Sequence, residues 1–446
     1  MLEALRADPC RFVGTLLDYR ALHRLWHTWR SRGTAAILAE LSIEENPQFA
    51  GVVPDAVSTK DLRAGATLLV IDTTLPQYDR HAGGRSSFLY LQMLREMGHQ
   101  VFFMPNDQMR REPYASALEG LGVTLLMGPG LRCGQWKHWL RDRPGQITHV
   151  VLHRPNVAKR YLAALKKMAG LKILYFAHDL RFLREARHYE LNGDTFHRSE
   201  AEYWKKVEEK IISQVDVAYF FSDEEVRAVS AWNGGAIART VPLFPVNLAP
   251  VSGLPYAQRA GLLFVGGFAH QPNRDAVSWF AKEVFPLVRQ ALPNIEWHIV
   301  GREPPPEIRS LAGNGIFVEG GVSEARLEML YQTTRLAVAP LRFGAGVKGK
   351  VVEAMCLGVP VITTRVGAEG IPDGDELLKV STSGEDMARQ ILETYQRPDL
   401  WESMRERAIQ GVNKHFSRQA ALLRLSEDFG PGPHRLSVDK GLKRDQ

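Results

Sequence analysis

The chain alternates short, wholly apolar runs with longer amphipathic stretches, and does so twice, on either side of a proline-rich break. The first series of β-rich runs is Thr67–Ile71, Gln100–Met104, Thr124–Met127, His149–Leu152, Lys172–Phe176 and Asp216–Phe221. Helical segments such as Ser86–Met97, Val157–Ala169 and Glu200–Ser213 separate them. A strand that is apolar throughout must be buried on both faces, and helices between successive strands supply that cover. A parallel sheet wound on both sides is therefore predicted. Pro245, Pro250 and Pro255 then crowd the stretch from Leu243 to Gln258, which reads as an interdomain linker. The alternation restarts with Leu262–Val265, Trp297–Val300, Ile316–Val318, Leu336–Ala339, Val359–Ile362 and Leu377–Val380, followed by helices over Glu385–Gln396, Leu400–Lys414 and Arg418–Phe429.

A length of 446 residues suits two or three domains. The predicted class is α/β: two Rossmann-like doubly wound domains, 63–245 and 259–429, facing a cleft. An N-terminal helical extension and linker covers 1–62, and a loose polar tail covers 430–446. Within the extension, Leu16, Leu22, Leu25, Trp26 and Trp29 recur at helical spacing beside Arg20, Arg24, Arg30 and Arg32. Such an amphipathic helix either lies on a membrane surface or packs on the body of the protein.

Several classes are disfavoured. No run approaches the roughly 18 apolar residues of a membrane span. The start, MLEALRADPCRF, has early acids and no long apolar core, so no secretory signal is expected. Cys10, Cys133 and Cys356 are far apart and lack metal-ligand spacing. A reducing, cytoplasmic location is expected, with peripheral attachment to the inner face of the membrane left open. The net charge of +6 is unevenly spread: between Arg132 and Lys172 ten Lys/Arg face one acid, Asp142, with Trp136 and Trp139 among them. That stretch is either a solvated helix face or a surface for anionic lipid, a diphosphate-linked acceptor or nucleic acid.

In doubly wound sheets, ligands bind at the carboxyl ends of strands, so residues just after strands matter most. The strongest such segment runs from Val338 to Thr364: strand, glycine loop, helix, strand. Gly344, Gly346 and Gly349 let the backbone approach a ligand closely, and the helix start behind them is an anion site. Arg342, Lys348 and Lys350 add positive charge, so a diphosphate fits. Lys350 and Glu353, three residues apart, share one helix face; a carboxylate there can accept both hydroxyls of a ribose. The bland alternative is an intrahelical pair behind an ordinary turn.

Here the sequence resembles the group 1 (family 4) retaining glycosyltransferases of the GT-B fold. The carriers are Glu353-Ala-Met-Cys-Leu-Gly-Val-Pro-Val361, Phe264-Val-Gly-Gly-Phe-Ala-His-Gln-Pro-Asn273 and Ile299-Val-Gly301, with Gly83-Gly84, Gly98-His99 and His178-Asp179 in the first domain. The resemblance implies that Glu353 holds the donor ribose, that Gly344, Ala345, Gly346 and Val347 contact sugar or diphosphate, and that Gly266 lies at the donor site. It also implies that His178 touches the donor sugar or the reacting centre, while Gly83 and Gly84 approach the donor phosphate from the other side. His178, Lys350 and Glu353 are the expected catalytic residues.

Two departures stand out. The general pattern has a first glutamate at the position of Ala345, and this chain follows the branch that lacks it. Backbone N–H groups of Ala345 and Gly346 are the first candidates to orient the sugar, and Glu369 is the second. The Arg and Lys that the wider family places after the Val-Gly strand have no clear counterparts, since Arg274 lies close by but Lys282 falls inside a helix; Lys348 and Lys350 are candidates to supply that charge. Asp79, Arg80 and Arg85 are candidates to meet the acceptor.

The expected activity is transfer of a sugar from a nucleoside diphosphate sugar to a glycan or lipid-linked acceptor, with retention, in bacterial surface polysaccharide or lipopolysaccharide assembly. An anionic membrane surface is an open partner and nucleic acid is not expected. No Asp-x-Asp motif stands in a suitable place, so neither metal nor cofactor is expected. The alternatives are a sugar-nucleotide epimerase of the same fold, whose acid/base residues cannot be placed, and a degenerate sugar-nucleotide-binding scaffold. A nicotinamide dehydrogenase would need a Gly-x-Gly-x-x-Gly that neither domain has.

Overall fold

The computed structural model describes residues 65–131, 134–232, 237–245 and 254–430. The predicted extension over 1–62, the middle of the linker, the tail, and Cys10, Arg132 and Cys133 lie outside the described residues. The rest forms two parallel sheets. Seven strands build the first: β1 (Thr67–Asp72), β2 (Gln100–Pro105), β3 (Thr124–Leu125), β4 (His149–His153), β5 (Lys172–Phe176), β6 (Val217–Phe220) and β7 (Ile237–Thr240), in the order β3-β2-β1-β4-β5-β6-β7. Six build the second: β8 (Ala260–Val265), β9 (Trp297–Val300), β10 (Ile316–Glu319), β11 (Thr334–Ala339), β12 (Val361–Thr364) and β13 (Lys379–Ser381), in the order β10-β9-β8-β11-β12-β13.

The apolar runs do what their composition requires. Successive side chains of a strand point to opposite faces. In β1, Leu68 and Val70 enter a core with Tyr90, Phe103 and Leu174, while Leu69 and Ile71 enter another with Phe102, Leu152 and Tyr175. Burial on both faces forces helices onto both. Those that position the cleft are α1 (Ala82–Glu96), α2 (Pro155–Leu165), α3 (Arg181–Asn192), α4 (Thr195–Ile212), α5 (Asp223–Ser230), α6 (Gln271–Trp279) and α7 (Gly349–Cys356). The strand order reverses between β1 and β4 in the first sheet, and between β8 and β11 in the second. Those two switch points are where a doubly wound sheet opens a crevice.

Three expectations change. Trp136 and Trp139, with relative exposures of 5% and 7%, pack inside the first domain, Trp136 against Tyr161 at 4.9 Å between ring centroids. They serve the core and present no surface to a membrane. Helix α1 starts at Ala82, so Gly83 and Gly84 sit in its first turn and not ahead of it. The chain's last described helices, α8 (Pro398–His415) and α9 (Arg418–Phe429), part company. Whereas α8 packs beside α7, the end of α9 bonds residues of the first sheet. The Asp428 side chain accepts from Tyr219 Oη at 2.6 Å and pairs with Arg239 at 2.9 Å, and its carbonyl accepts from Lys172 at 2.7 Å. The span 259–429 therefore ends on the other domain, because the polar partners of α9 lie there.

Among the described residues, no helix is long and apolar enough to cross a membrane.

Candidate functional site

The first-sheet switch point is lined by a buried polar chain. Asp72 ends β1, His153 ends β4, and Arg154 directly follows it. Arg154 Nε donates to Asp72 Oδ1 at 2.9 Å, and Ser87 Oγ donates to Asp72 Oδ2 at 3.1 Å. His153 Nδ1 lies 2.9 Å from His178 Nε2, so one ring nitrogen donates to the other. Burial pushes the Asp72 carboxyl up, but Arg154, with His153 and His178, more than reverses this and holds it well below the usual range. Burial, reinforced by Arg154 and His153, pushes His178 well below its ordinary value, so it is neutral at pH 7.

His178 follows β5 and has a φ of 67°, a region that side chains rarely occupy and that concentrates at functional sites. Its Nδ1 is buried without a hydrogen-bond partner. A Cβ placed on Gly83 would come within 3.4 Å of this atom and within 3.0 Å of the Arg154 guanidinium, so Gly83 keeps that space clear. Gly84 plays a different part. Its amide donates to His81 Nδ1 at 2.8 Å, which caps α1. A phosphate reaching for that amide would have to displace His81.

Helix α3, after His178-Asp179, has no fully buried residue, although Phe182 and Leu183 pack partly buried against the core. Buried carboxyls fix its start. Glu225, at the capped start of α5, accepts from Leu180 N at 3.1 Å, and Glu208 of α4 accepts from Arg181 N at 2.8 Å and Phe182 N at 3.1 Å. These are the orphan donors of a helix start. Burial raises both carboxyls to about 8, with Asp179 adding to the shift at Glu225. From α3, Arg184 pairs with Asp179 at 2.5 Å, and Arg187 reaches across the cleft.

The second-sheet switch point carries the glycine loop after β11. Gly344 and Gly346 have φ of 143° and 71°, which a side chain would strain. Gly349 opens α7 against Ala82 and Phe244 of the first domain, since a Cβ there would fall 2.8 Å from the Ala82 Cβ. The starts of α1 and α7 thus converge, and two positive helix ends face one crevice. Lys350 bonds Asn273 and lies 4.5 Å from the Phe264 ring, over Gly266, where a Cβ would clash with it at 2.8 Å. Burial, with Lys348 nearby, pushes the Lys350 ammonium down to about 7. His270, at the start of α6, is pushed down to about 3 by burial and by Arg184 and Lys350.

Glu353 Oε1 receives Arg85 of α1 at 2.5 Å, and Oε2 receives Tyr331 Oη at 3.2 Å. Arg85 thus meets the second domain's carboxylate, while Asp79 bonds Tyr114 and Arg302, and Arg80 bonds Tyr114. Arg342 is ion-paired with Asp275 and lies 5.9 Å from the Trp279 ring, so its charge already has a partner. Lys348 reaches Gly346 O and Glu369, and Val347 packs beside Gly370. The structure therefore gathers Gly83, His178, Gly266, Gly344–Lys350 and Glu353 about one crevice. It adds Asp72, His153, Arg154, Arg187, Glu225 and Asn273, which the sequence reading did not select. Arg154 could have been found, since it directly follows a strand.

The low pKa of Lys350 has a consequence for stability. A lysine whose folded pKa lies below its unfolded value binds fewer protons when folded between about 7 and 10.5, so its cost is full below pH 7 and relieved as pH rises. Lys350→Met is expected to stabilise the ligand-free protein below pH 7 by on the order of 1 kcal/mol, the gain fading toward pH 10. Thermal melts across pH 6–10 measure this.

Comparison with known proteins gives this crevice a context. Residues 259–397 match the family model described as glycosyl transferases group 1. A curated relative, the "uncharacterized 44.6 kDa protein in cps region" of Klebsiella pneumoniae, is 30% identical over 116 residues, which is 24% of this chain and 30% of that protein's length. Among solved structures, the sucrose-phosphate synthase of Thermosynechococcus elongatus aligns with a TM-score of 0.62 at 14% identity, over 81% of this chain and 98% of its own. TarM aligns at 0.64 and 9% identity, over 82% and 99%. The pneumococcal O-GlcNAc transferase GtfA, solved with UDP and GlcNAc, aligns at 0.60 and 11%, over 84% and 100%. At such identities the likeness concerns the fold, which is GT-B.

Proposed function

We propose that this chain, whose second domain is that of a group 1 glycosyltransferase, transfers a sugar from a nucleoside diphosphate sugar to a glycan or lipid-linked acceptor, with retention of configuration. The observation that carries this reading is the loop and helix Gly344–Glu353 at the second switch point, inside the matched residues. The diphosphate lies between the starts of α1 and α7, near Lys350, and the ribose lies on Glu353. The acceptor oxygen bonds to the anomeric carbon as the bond from that carbon to the phosphate oxygen breaks, and the acceptor proton passes to the departing diphosphate. Oriented amides and cations stabilise the charge that develops there, commonly the largest catalytic contribution. Neutral His178, with its open Nδ1, offers one hydrogen bond to the sugar or acceptor. Surface polysaccharide assembly is the proposed setting, in keeping with the cps-region name of the Klebsiella relative.

Ala345 favours a second reading, in which the chain binds sugar nucleotide as a scaffold without turnover. Incubation of the full chain with a panel of sugar nucleotides, with and without membrane glycolipid acceptors, separates the two. Acceptor-dependent release of nucleoside diphosphate is expected. Binding without release across the panel would favour the scaffold.

A further inference from the structure

The loop that lacks a side-chain carboxylate at Ala345 is held from beneath by three charged groups. Arg187 Nη1, from α3 of the first domain, donates to Gly344 O at 2.7 Å and to Glu369 Oε2 at 2.7 Å. Lys348 Nζ donates to Gly346 O and reaches the same Glu369 oxygen at 3.2 Å. One carboxylate, 7% exposed, thus gathers a guanidinium from one domain and an ammonium, 10% exposed, from the other, and each cation holds one loop carbonyl.

Peptide planarity then fixes where the amides of the same loop point. In a trans peptide, C=O and the following N–H point in opposite directions. Fixing Gly344 O and Gly346 O on the clamp side therefore turns the amides of Ala345 and Val347 away from it. Among the described residues, the amides of Ala345, Gly346 and Val347 have no acceptor. Alternating backbone conformations with unpaired amides on one side make an anion-binding concavity. The positive φ at Gly344 and Gly346 is what permits the alternation.

We propose that Arg187, Lys348 and Glu369 form a cross-cleft clamp that turns the amides of Ala345 and Val347 into the site for the β-phosphate of the nucleotide. This rests on the donor-site reading above. Because Arg187 belongs to the first domain, the site is complete only when α3 lies against the loop, and so β-phosphate binding and domain closure favour one another. Arg187 and Glu369 are positioning residues, acting through the loop backbone.

Calorimetric titration of the full-length wild type, Arg187→Ala, Arg187→Lys and Glu369→Gln with UDP, UMP, GDP and GMP tests this. The wild type should prefer one diphosphate to its monophosphate. In Arg187→Ala and Glu369→Gln that preference should shrink about tenfold, a charge-assisted bond's worth, while monophosphate affinity stays unchanged. Arg187→Lys, which keeps the charge, should recover part of it. A general structural defect would lower both affinities together and overturn the clamp. A wild-type preference that persists within twofold in both Arg187→Ala and Glu369→Gln would overturn the clamp alone. A wild type with no diphosphate preference would overturn the donor-site reading and the clamp with it.

Discussion

Alanine at Glu353 is expected to weaken nucleotide-sugar binding by roughly 100-fold or more. Hydrogen bonds to a charged group contribute about 1.5–3 kcal/mol each, and a ribose offers two hydroxyls to this carboxylate. Its present partner on one side, Arg85, has a side chain 43% exposed. An ion pair of that kind contributes only about 0–1 kcal/mol, so a ribose can displace it cheaply. Tyr331, which is buried, keeps the other oxygen oriented throughout. Calorimetry with the preferred sugar nucleotide checks the affinity, and unchanged binding would remove Glu353 from the ribose.

Replacing Arg154 with methionine should destabilise the fold by about 3 kcal/mol at pH 7, because it strands a buried carboxylate. Asp72 keeps its bonds from the Thr73 amide at 2.6 Å and from Ser87, which limits the loss. The pH dependence should change sign. In the wild type the depressed Asp72 pKa contributes stability that is present above the unfolded value of about 3.9 and lost as pH falls through the folded value. Without Arg154, burial raises that pKa above the unfolded one, so stability is present below about 3.9 and lost as pH rises through the new value. Denaturant melts between pH 4 and 7 should show the variant's deficit shrinking toward acid. A deficit independent of pH would mean that Arg154 acts through packing.

The same residue shows where the sequence was legible and where it was not. Strands such as β1 and β8 are plain, because burial on both faces demands unbroken apolar runs. The edge strand β7, Ile237-Ala-Arg-Thr240, is partly exposed and carries no such run, so it goes unseen. Helix α3 is missed for a different reason: its start is fixed by Glu208 and Glu225, far along the chain, and its apolar residues Phe182 and Leu183 are only partly buried. Arg154 reads as one more cation of a basic stretch, although it directly follows β4 and pairs with buried Asp72. The glycine loop was legible as a ligand site from its residue types. Its clamp was not, because Arg187 binds a backbone carbonyl 157 residues away, and nothing in the loop's side chains announces that.

On the proposed function, a nucleotide sugar lies across the two switch points with its diphosphate on the glycine loop. A crystal structure with the preferred nucleoside diphosphate sugar tests it most directly. Phosphate oxygens are expected within hydrogen-bond distance of the amides at Ala345 and Val347 and of Lys350 Nζ, with the ribose hydroxyls on Glu353 in place of Arg85. An ordered nucleotide bound elsewhere, with Glu353 still on Arg85, would contradict it.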